Sequence, residues 1–524
     1  MTEQRRRAYI VSDLHLGGAG PQATGERGFQ ICTQTAALAE MIDRLAHESP
    51  SEHPIELCIN GDFVDFLAEP DTASGSNDLV WTPLRDDAKV AEQLLLTVVS
   101  RCAEVFAALR RFVERGHKLT VLLGNHDIEL AYPRVRQLLQ RQLGVSDQVS
   151  LRFIYDGEAY AIGDALVEHG NRYDGWNAID YDALRRVCSL QSRGQPVPSN
   201  LRLQPPAGSQ LVAAVMNPIK RNYPFIDLLK PESTAAVPLL LALEPGSRKL
   251  IAQFAKLAVK AGDHKLTSPS LPTRSGDISA APQTERSSFA GGDLGFRGVG
   301  TDGDGELRTL LGEALGSDQA SLFLSLLAPP AGPAMRDGGL TSRGPIRGDI
   351  AARPSDKERS GGRDSFFAGG LSWARLILSS SSDPEGRLKA LRIALRAFCD
   401  PTLFALGKVE PKEPLYRAAQ ELGQLGPFRY IVMGHTHLAR DLPLSNGGRY
   451  LNSGTWADLM CVPDAVFSDD PGVSDGALRR LVDDIAERRY ERLIMQKPTY
   501  VRLELLDDKV VSASVETYQS GARL

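Results

Sequence analysis

Over the first 175 residues the apolar positions fall in short runs, and each run stops at a polar cluster. Ala8 to Ser12 predicts a strand ending at Asp13. Ile55 to Asn60 predicts a second, ending at Gly61-Asp62. Leu119 to Leu123 predicts a third, ending at Gly124-Asn125-His126-Asp127, and Ala165 to Val167 a fourth, ending at Glu168-His169-Gly170. Between the runs the period changes. Thr33 to Ala46 reads as helix. Arg85 to Arg115 predicts one long helix, because Val98, Cys102, Val105, Leu109 and Phe112 recur at three- and four-residue steps and Gly116 follows as a stop. Strands and helices in this alternation predict an α/β layer structure.

From Tyr173 the rhythm is different. Residues 176–262 read as mostly helical, with frequent proline breaks. Residues 263–365 are rich in glycine and serine and hold few side chains that bury area, which predicts a flexible segment; Leu307 to Leu327 has the leucine spacing of a short helix within it. Order resumes near Leu371. Leu388 to Phe398 and Pro414 to Leu425 predict helices, and Arg429 to Met433 a strand ending at Gly434-His435-Thr436-His437. Arg449 to Leu451 leads into Asn452-Ser453-Gly454-Thr455-Trp456, and Thr499 to Tyr518 alternates like a hairpin with Asp507-Asp508 near its turn. The expected plan is a core of residues 1–175 and 410–524, a helical cap insertion of 176–262 and 366–409, and the low-complexity segment 263–365.

Composition narrows the function. Lys plus Arg number 60 and Asp plus Glu 65, a net charge of -5, so no global field draws the chain to nucleic acid or an anionic membrane. No apolar run is long enough to span a bilayer. Arg5, Arg6 and Arg7 are followed too soon by Asp13 and His15 for a signal peptide. Six cysteines without a Cys-x-x-Cys pair exclude a disulfide framework and a zinc finger, and a cytoplasmic location is expected.

Five chemistry-bearing segments share one position, directly after an apolar strand: Asp13-Leu14-His15, Gly61-Asp62-Phe63-Val64-Asp65, Gly124-Asn125-His126-Asp127, His169 and Gly434-His435-Thr436-His437. Ligands of α/β sheets gather beyond the carboxyl ends of strands. These side chains offer oxygen and imidazole nitrogen but no sulfur, a donor set for Mn, Fe, Zn, Co or Ni. Five of the nine histidines lie in these segments. The donors outnumber the needs of one tetrahedral ion, which points to two divalent metal ions.

The ordered blocks Asp-x-His, Gly-Asp-x-x-Asp, Gly-Asn-His-Asp, His and Gly-His-x-His resemble those of the calcineurin-like metallophosphoesterase superfamily. The resemblance covers the two flanking segments and implies a four-layer αββα sandwich of mixed sheets. It implies that Asp13, His15 and His437 hold one metal, that Asn125, His169 and His435 hold the other, and that Asp62 bridges them. Mn is the expected occupant. It implies hydrolysis of a phosphoester or pyrophosphate substrate by a metal-bridging hydroxide. His126 would serve as general acid or phosphate donor, and Asp127 would hold its ring. A different class of function, a catalytically weak metal-binding scaffold whose insertion recruits a partner protein, is disfavoured by the intact ligand set.

Neighbouring residues have plainer expectations. Asp65 is expected to cap the next helix. Glu168 should point away from the site by strand alternation. Asn452 and Trp456 are expected to form a supporting turn, and Arg172 an ion pair or a phosphate contact. Lys220, Arg221, Tyr223, Phe225 and Lys230 belong to a cap segment packed by its apolar face, or to a lid over phosphate or lipid. His47, His53, His117 and His264 are expected at the surface.

Overall fold

The computed structural model describes residues 5–18, 28–48, 54–71, 79–145, 150–221, 223–229, 384–398, 402–408 and 413–521. The segment 263–365, with its Leu307 to Leu327 island, lies outside the described residues, as does the expected helicity of 230–262. The strands are β1 (Arg5–Val11), β2 (Glu56–Asn60), β3 (Lys118–Leu122), β4 (Leu151–Ile154), β5 (Tyr160–Ile162), β6 (Ala165–Val167), β7 (Tyr430–Met433), β8 (Arg440–Pro443), β9 (Arg449–Asn452), β10 (Leu459–Met460), β11 (Ile494–Met495), β12 (Thr499–Leu506) and β13 (Lys509–Thr517). The helices are α1 (Thr35–His47), α2 (Ala88–Arg101), α3 (Ala103–Glu114), α4 (Pro133–Gln142), α5 (Tyr181–Ser192), α6 (Ala207–Leu211), α7 (Asn217–Lys220), α8 (Pro384–Phe398), α9 (Pro414–Leu425) and α10 (Pro471–Ala486).

Two mixed sheets form the centre. One has the order β13-β12-β1-β2-β3-β4, parallel from β1 to β4 and closed at its edge by the antiparallel hairpin β12–β13. The other has the order β5-β6-β7-β9-β8, with β6, β7 and β9 parallel. Alternation along β1 explains how the sheets stack. Ala8 and Ile10 join Cys58, Leu122, Val167, Val432, Leu451 and Val501 in a core shared by both sheets. Tyr9 and Val11 turn the other way, into a core built with α1, α2, α3, α4 and α5. Strands buried on both faces read as continuous apolar runs, which is why their sequences stand out. On the far side of the second sheet, Leu415, Ala418 and Ala419 of α9 cover Leu166, Ile431, Met433 and Tyr450.

The expected helix from Arg85 to Arg115 is two helices, broken at Cys102. Val98, Cys102, Val105, Leu109 and Phe112 are all buried, so the apolar spacing runs across the break and conceals it. The run Thr97-Val98-Val99-Ser100 weakens the helix just before it, because β-branched and hydroxyl side chains disfavour the conformation. Among the described residues, no helix is long and apolar enough to cross a membrane.

The described part of the insertion is fastened to the core. Leu184, Val187 and Cys188 of α5 sit in the helix-side core. Asn217 donates to Leu67 O, Leu229 bridges to Met460, and Phe225 is fully buried. Lys220 is buried too, paired with Asp227 and donating to Phe29 O at 3.1 Å, so its ammonium does not face a phosphate or a lipid surface. His117 differs from its expected surface position. It is buried before β3, stacked on Phe112 and wedged between Ile55 N and Ala46 O.

Candidate metal centre

The carboxyl ends of five strands deliver the polar groups to one place. From the first sheet come Asp13 and His15 after β1, Asp62 after β2, and Asn125 and His126 after β3; from the second come His169 after β6 and His435 and His437 after β7. The donor atoms of Asp13, His15 and His437 lie within 4.8 Å of one another, and so do those of Asp62, His169 and His435. His15 Nε2 faces His437 Nε2 at 3.1 Å, and His437 Nε2 is 3.4 Å from Asp13 Oδ1. Asp62 stands between the groups: its Oδ2 is 3.3 Å from His169 Nε2 and 3.7 Å from His15 Nε2.

The backbone is bent to achieve this. Eight non-glycine residues among the described residues have positive φ, and five of them are Asp13, His15, Asp62, His435 and His437. The left-handed region is costly for such side chains, and strain of this kind concentrates where function fixes a geometry. The motif glycines have a steric reason. A Cβ on Gly124 would overlap the Asp62 carboxylate, and one on Gly434 would overlap Ser12 Oγ and Asp13 Oδ2. Only glycine lets the third and seventh strand ends approach the first and second this closely.

Asp13 Oδ1, Asn125 Oδ1, His169 Nε2 and His435 Nδ1 are buried and make no hydrogen bond. Buried polar atoms are normally satisfied, so four together are a deficit that a cation would remove. Each is an oxygen or a ring nitrogen with a lone pair, so the residues present fit a metal ion. The buried His/Asp groups therefore form a set that could bind metal ions.

The partners of these residues leave the lone pairs turned inward. His169 Nδ1 donates to Asn60 O at 2.8 Å, which leaves Nε2 as the inner atom. His435 is reversed, with Nε2 3.1 Å from Asp174 Oδ2. Burial opposes the charge on Asp62, but the rings of His169, His126 and His15 outweigh it and hold the carboxyl well below its ordinary range. Burial likewise opposes a charged His169, yet the Asp62 carboxylate beside it moves the ring up to about 9. Asp127 moves the other way: burial, then the Asp62 charge, push it up to about 7.

Several expectations change here. Asp127 does not hold the His126 ring. Its two oxygens accept from Gly124 N and Phe63 N, both at 2.7 Å, and so tie the β3 loop to the β2 loop. The carboxylate against His126 is Asp65, with Oδ1 3.1 Å from His126 Nδ1 and Oδ2 3.3 Å from His15 Nδ1. Asp65 also caps the following turn through Ala68 N, as its spacing predicts. Glu168 turns outward to Tyr173 and Arg172, so Arg172 is in an ion pair. Asn452 donates to Gly434 O at 2.7 Å, Thr455 donates to Asp13 O, and Trp456 donates to Thr499 O, so this turn supports the β1 and β7 loops. Asp174 and Asn177 escape sequence reasoning because they match no motif; their closeness to His169 was the one available signal. His126 is 20% exposed and His437 11%, whereas Asp13, His15, Asp62 and His169 are sealed, so the site opens on the His126 side. Comparison with protein-family models, curated proteins and solved structures finds no match to this chain, and its function rests on the geometry of this site.

Proposed function

We propose that the chain is a dinuclear-metal phosphohydrolase of the calcineurin-like metallophosphoesterase type, cleaving a phosphoester or pyrophosphate bond. The observation that carries this reading is the set of four buried donor atoms around Asp62, on Asp13, Asn125, His169 and His435, that make no hydrogen bond. On this reading residues 1–175 and 410–524 form the catalytic core, as all seven proposed donors lie within them. Two sheets face to face, with helices outside each, are what a four-layer αββα sandwich requires.

Asp13, His15 and His437 would hold one cation and Asn125, His169 and His435 the other, with Asp62 shared. When bound, such a pair supplies an acidified water and neutralises charge on phosphoryl oxygens. The chain's own residues do the rest. Asp65 Oδ1 accepts a hydrogen bond from His126 Nδ1–H and fixes the ring at the open side of the site. With the ring as the imidazolium, which the Asp65 carboxylate favours, Nε2–H can donate to a substrate oxygen or pass its proton to the leaving group, leaving a neutral ring with its proton on Nδ1. Asp62 accepts the His126 amide at 2.8 Å, which ties the acid's backbone to the shared carboxylate. Asp127 locks the two loops that carry Asp62 and Asn125.

The test is hydrolysis of an aryl phosphate monoester, an aryl phosphate diester and a nucleoside diphosphate ester, with Mn added, beside Asp62→Ala and His126→Ala. Turnover by the wild type and loss in both variants is expected. Absence of turnover on all three substrates with Mn, Zn, Co and Ni would overturn the reading in favour of a metal-binding scaffold.

A further inference from the structure

We propose that the loop after His169 is a positioning element for the metal centre, acting through Asp174 and Asn177 on His435 and Asn125. The inference rests on the metal-centre reading above and names what selects the donor atom of two of its residues.

Consider the ring of His435. A carboxylate oxygen only accepts, so the 3.1 Å contact to Asp174 Oδ2 places the ring proton on Nε2. The lone pair is then on Nδ1, the nitrogen that is buried without a hydrogen bond. His169 needs no such help, because its Nδ1–H is taken by Asn60 O, a backbone atom held by β2. The sheet frame sets the tautomer of one histidine; a side chain on a loop sets that of the other.

The same loop orients Asn125. An amide can present oxygen or nitrogen to the site, and only oxygen ligates a cation. Asn125 Nδ2 donates to Asn177 Oδ1 at 3.4 Å, so its Oδ1 is the atom turned elsewhere, buried and without a hydrogen bond. Asn177 Nδ2 in turn donates to Asp174 Oδ2 at 2.7 Å. His435, Asp174, Asn177 and Asn125 thus form one chain of hydrogen bonds that links loops from both sheets. The loop is braced to bear this: Asn171 Nδ2 donates to Asn177 O at 3.0 Å, Trp176 N donates to Asp174 Oδ1 at 3.0 Å, and Gly208 N donates to Trp176 O at 2.7 Å. Partners behind a ligand fix its orientation and raise its basicity, and their loss commonly costs about 10- to 100-fold in metal affinity.

Among the described residues, the hydrogen bonds that Asp174 and Asn177 make to the centre reach His435 and Asn125. Their removal is therefore expected to weaken one cation and spare the one at Asp13, His15 and His437. The full chain, stripped of metal, is titrated with Mn by calorimetry as wild type, Asp174→Ala, Asp174→Asn and Asn177→Ala. The wild type is expected to bind two cations. Asp174→Ala is expected to weaken one of the two by about 10- to 100-fold, Asp174→Asn and Asn177→Ala by about tenfold, with the other unchanged. Nitrogen-15 spectra of the metal-free histidine rings give a second readout: His435 is expected as the Nε2–H tautomer in wild type and as a mixture in Asp174→Ala. Two unchanged affinities in a folded Asp174→Ala, or an unchanged tautomer, overturn the proposal. A wild type that binds no cation while His435 still changes tautomer in Asp174→Ala overturns the metal-centre reading and leaves the positioning of the ring standing.

Discussion

At the amino end of β2, Glu56 is buried, yet its Oε1 accepts from Thr120 at 2.8 Å and from Tyr160 at 2.6 Å. At the carboxyl end of the same strand, Asp62 sits beside Asp13, Asn125, His169 and His435, each with a buried atom that makes no hydrogen bond. The backbone follows the same division. Asp507 and Asp508 also have positive φ, but they are the two central residues of the β12–β13 hairpin turn, whose geometry accounts for them. Asp13, His15, Asp62, His435 and His437 have no hairpin to account for theirs. At one end of β2 the buried carboxylate is satisfied; at the other the backbone bends and four buried donor atoms make no hydrogen bond. That contrast, more than the residue types, makes the second end the place that could bind a cation.

The contrast can be broken most severely at Asp62. Asp62→Ala is expected to lower turnover of an aryl phosphate by at least about 1000-fold and to leave the purified protein without stoichiometric metal by elemental analysis. Full metal content in this variant would remove Asp62 from its shared position. His126→Ala should separate holding a cation from using it. A fall in kcat of about 10²–10⁴-fold is expected with metal content unchanged, and equal losses of both would show that His126 is a ligand. Gly124→Ala tests the close approach of the loops. A loss of about 1–3 kcal/mol is expected in urea unfolding, from overlap with Asp62; a neutral result would mean the loops can part without cost.

Acidity sharpens the comparison from another side. In the metal-free protein the His169 ring titrates at about 9 rather than at an ordinary 6.5, because the Asp62 charge prevails over burial. A cation has to displace that proton. Apparent affinity is therefore expected to rise with pH, by up to about tenfold per unit, and to level off above about 9. Affinity that is flat from about pH 7 to 9 would contradict this. The smallest effect is expected at the far end. Asp508→Gly should stabilise the hairpin by up to about 1 kcal/mol, since glycine adopts positive φ freely, and should leave Mn affinity unchanged in the same titration.

Much of this was legible from the residues. Strands buried on both faces carry unbroken apolar runs, so β1, β2, β3, β6 and β7 and the polar groups at their ends stand out in the sequence. The Asp507-Asp508 turn was legible because alternation reverses around it. The equally short β4, β5 and β8 were not, since each is only partly buried and does not end at a polar cluster that sets it off from loop. The break at Cys102 hid behind a continuous apolar stripe. Nearness in sequence suggests Asp127 as the partner of the His126 ring, whereas the turn geometry gives that contact to Asp65. Asp174 and Asn177 carry only the weak signal of lying close after His169, because an Asp and an Asn in a loop are usually just turn residues.

His15 and His437 are 422 positions apart, yet their ring nitrogens meet at 3.1 Å. The pocket can therefore close only once the residues that follow β7 have been made and have folded against those that follow β1. Truncated products that stop short of residue 434 lack His435 and His437, so on this reading they have only part of the cradle and no hydrolytic competence.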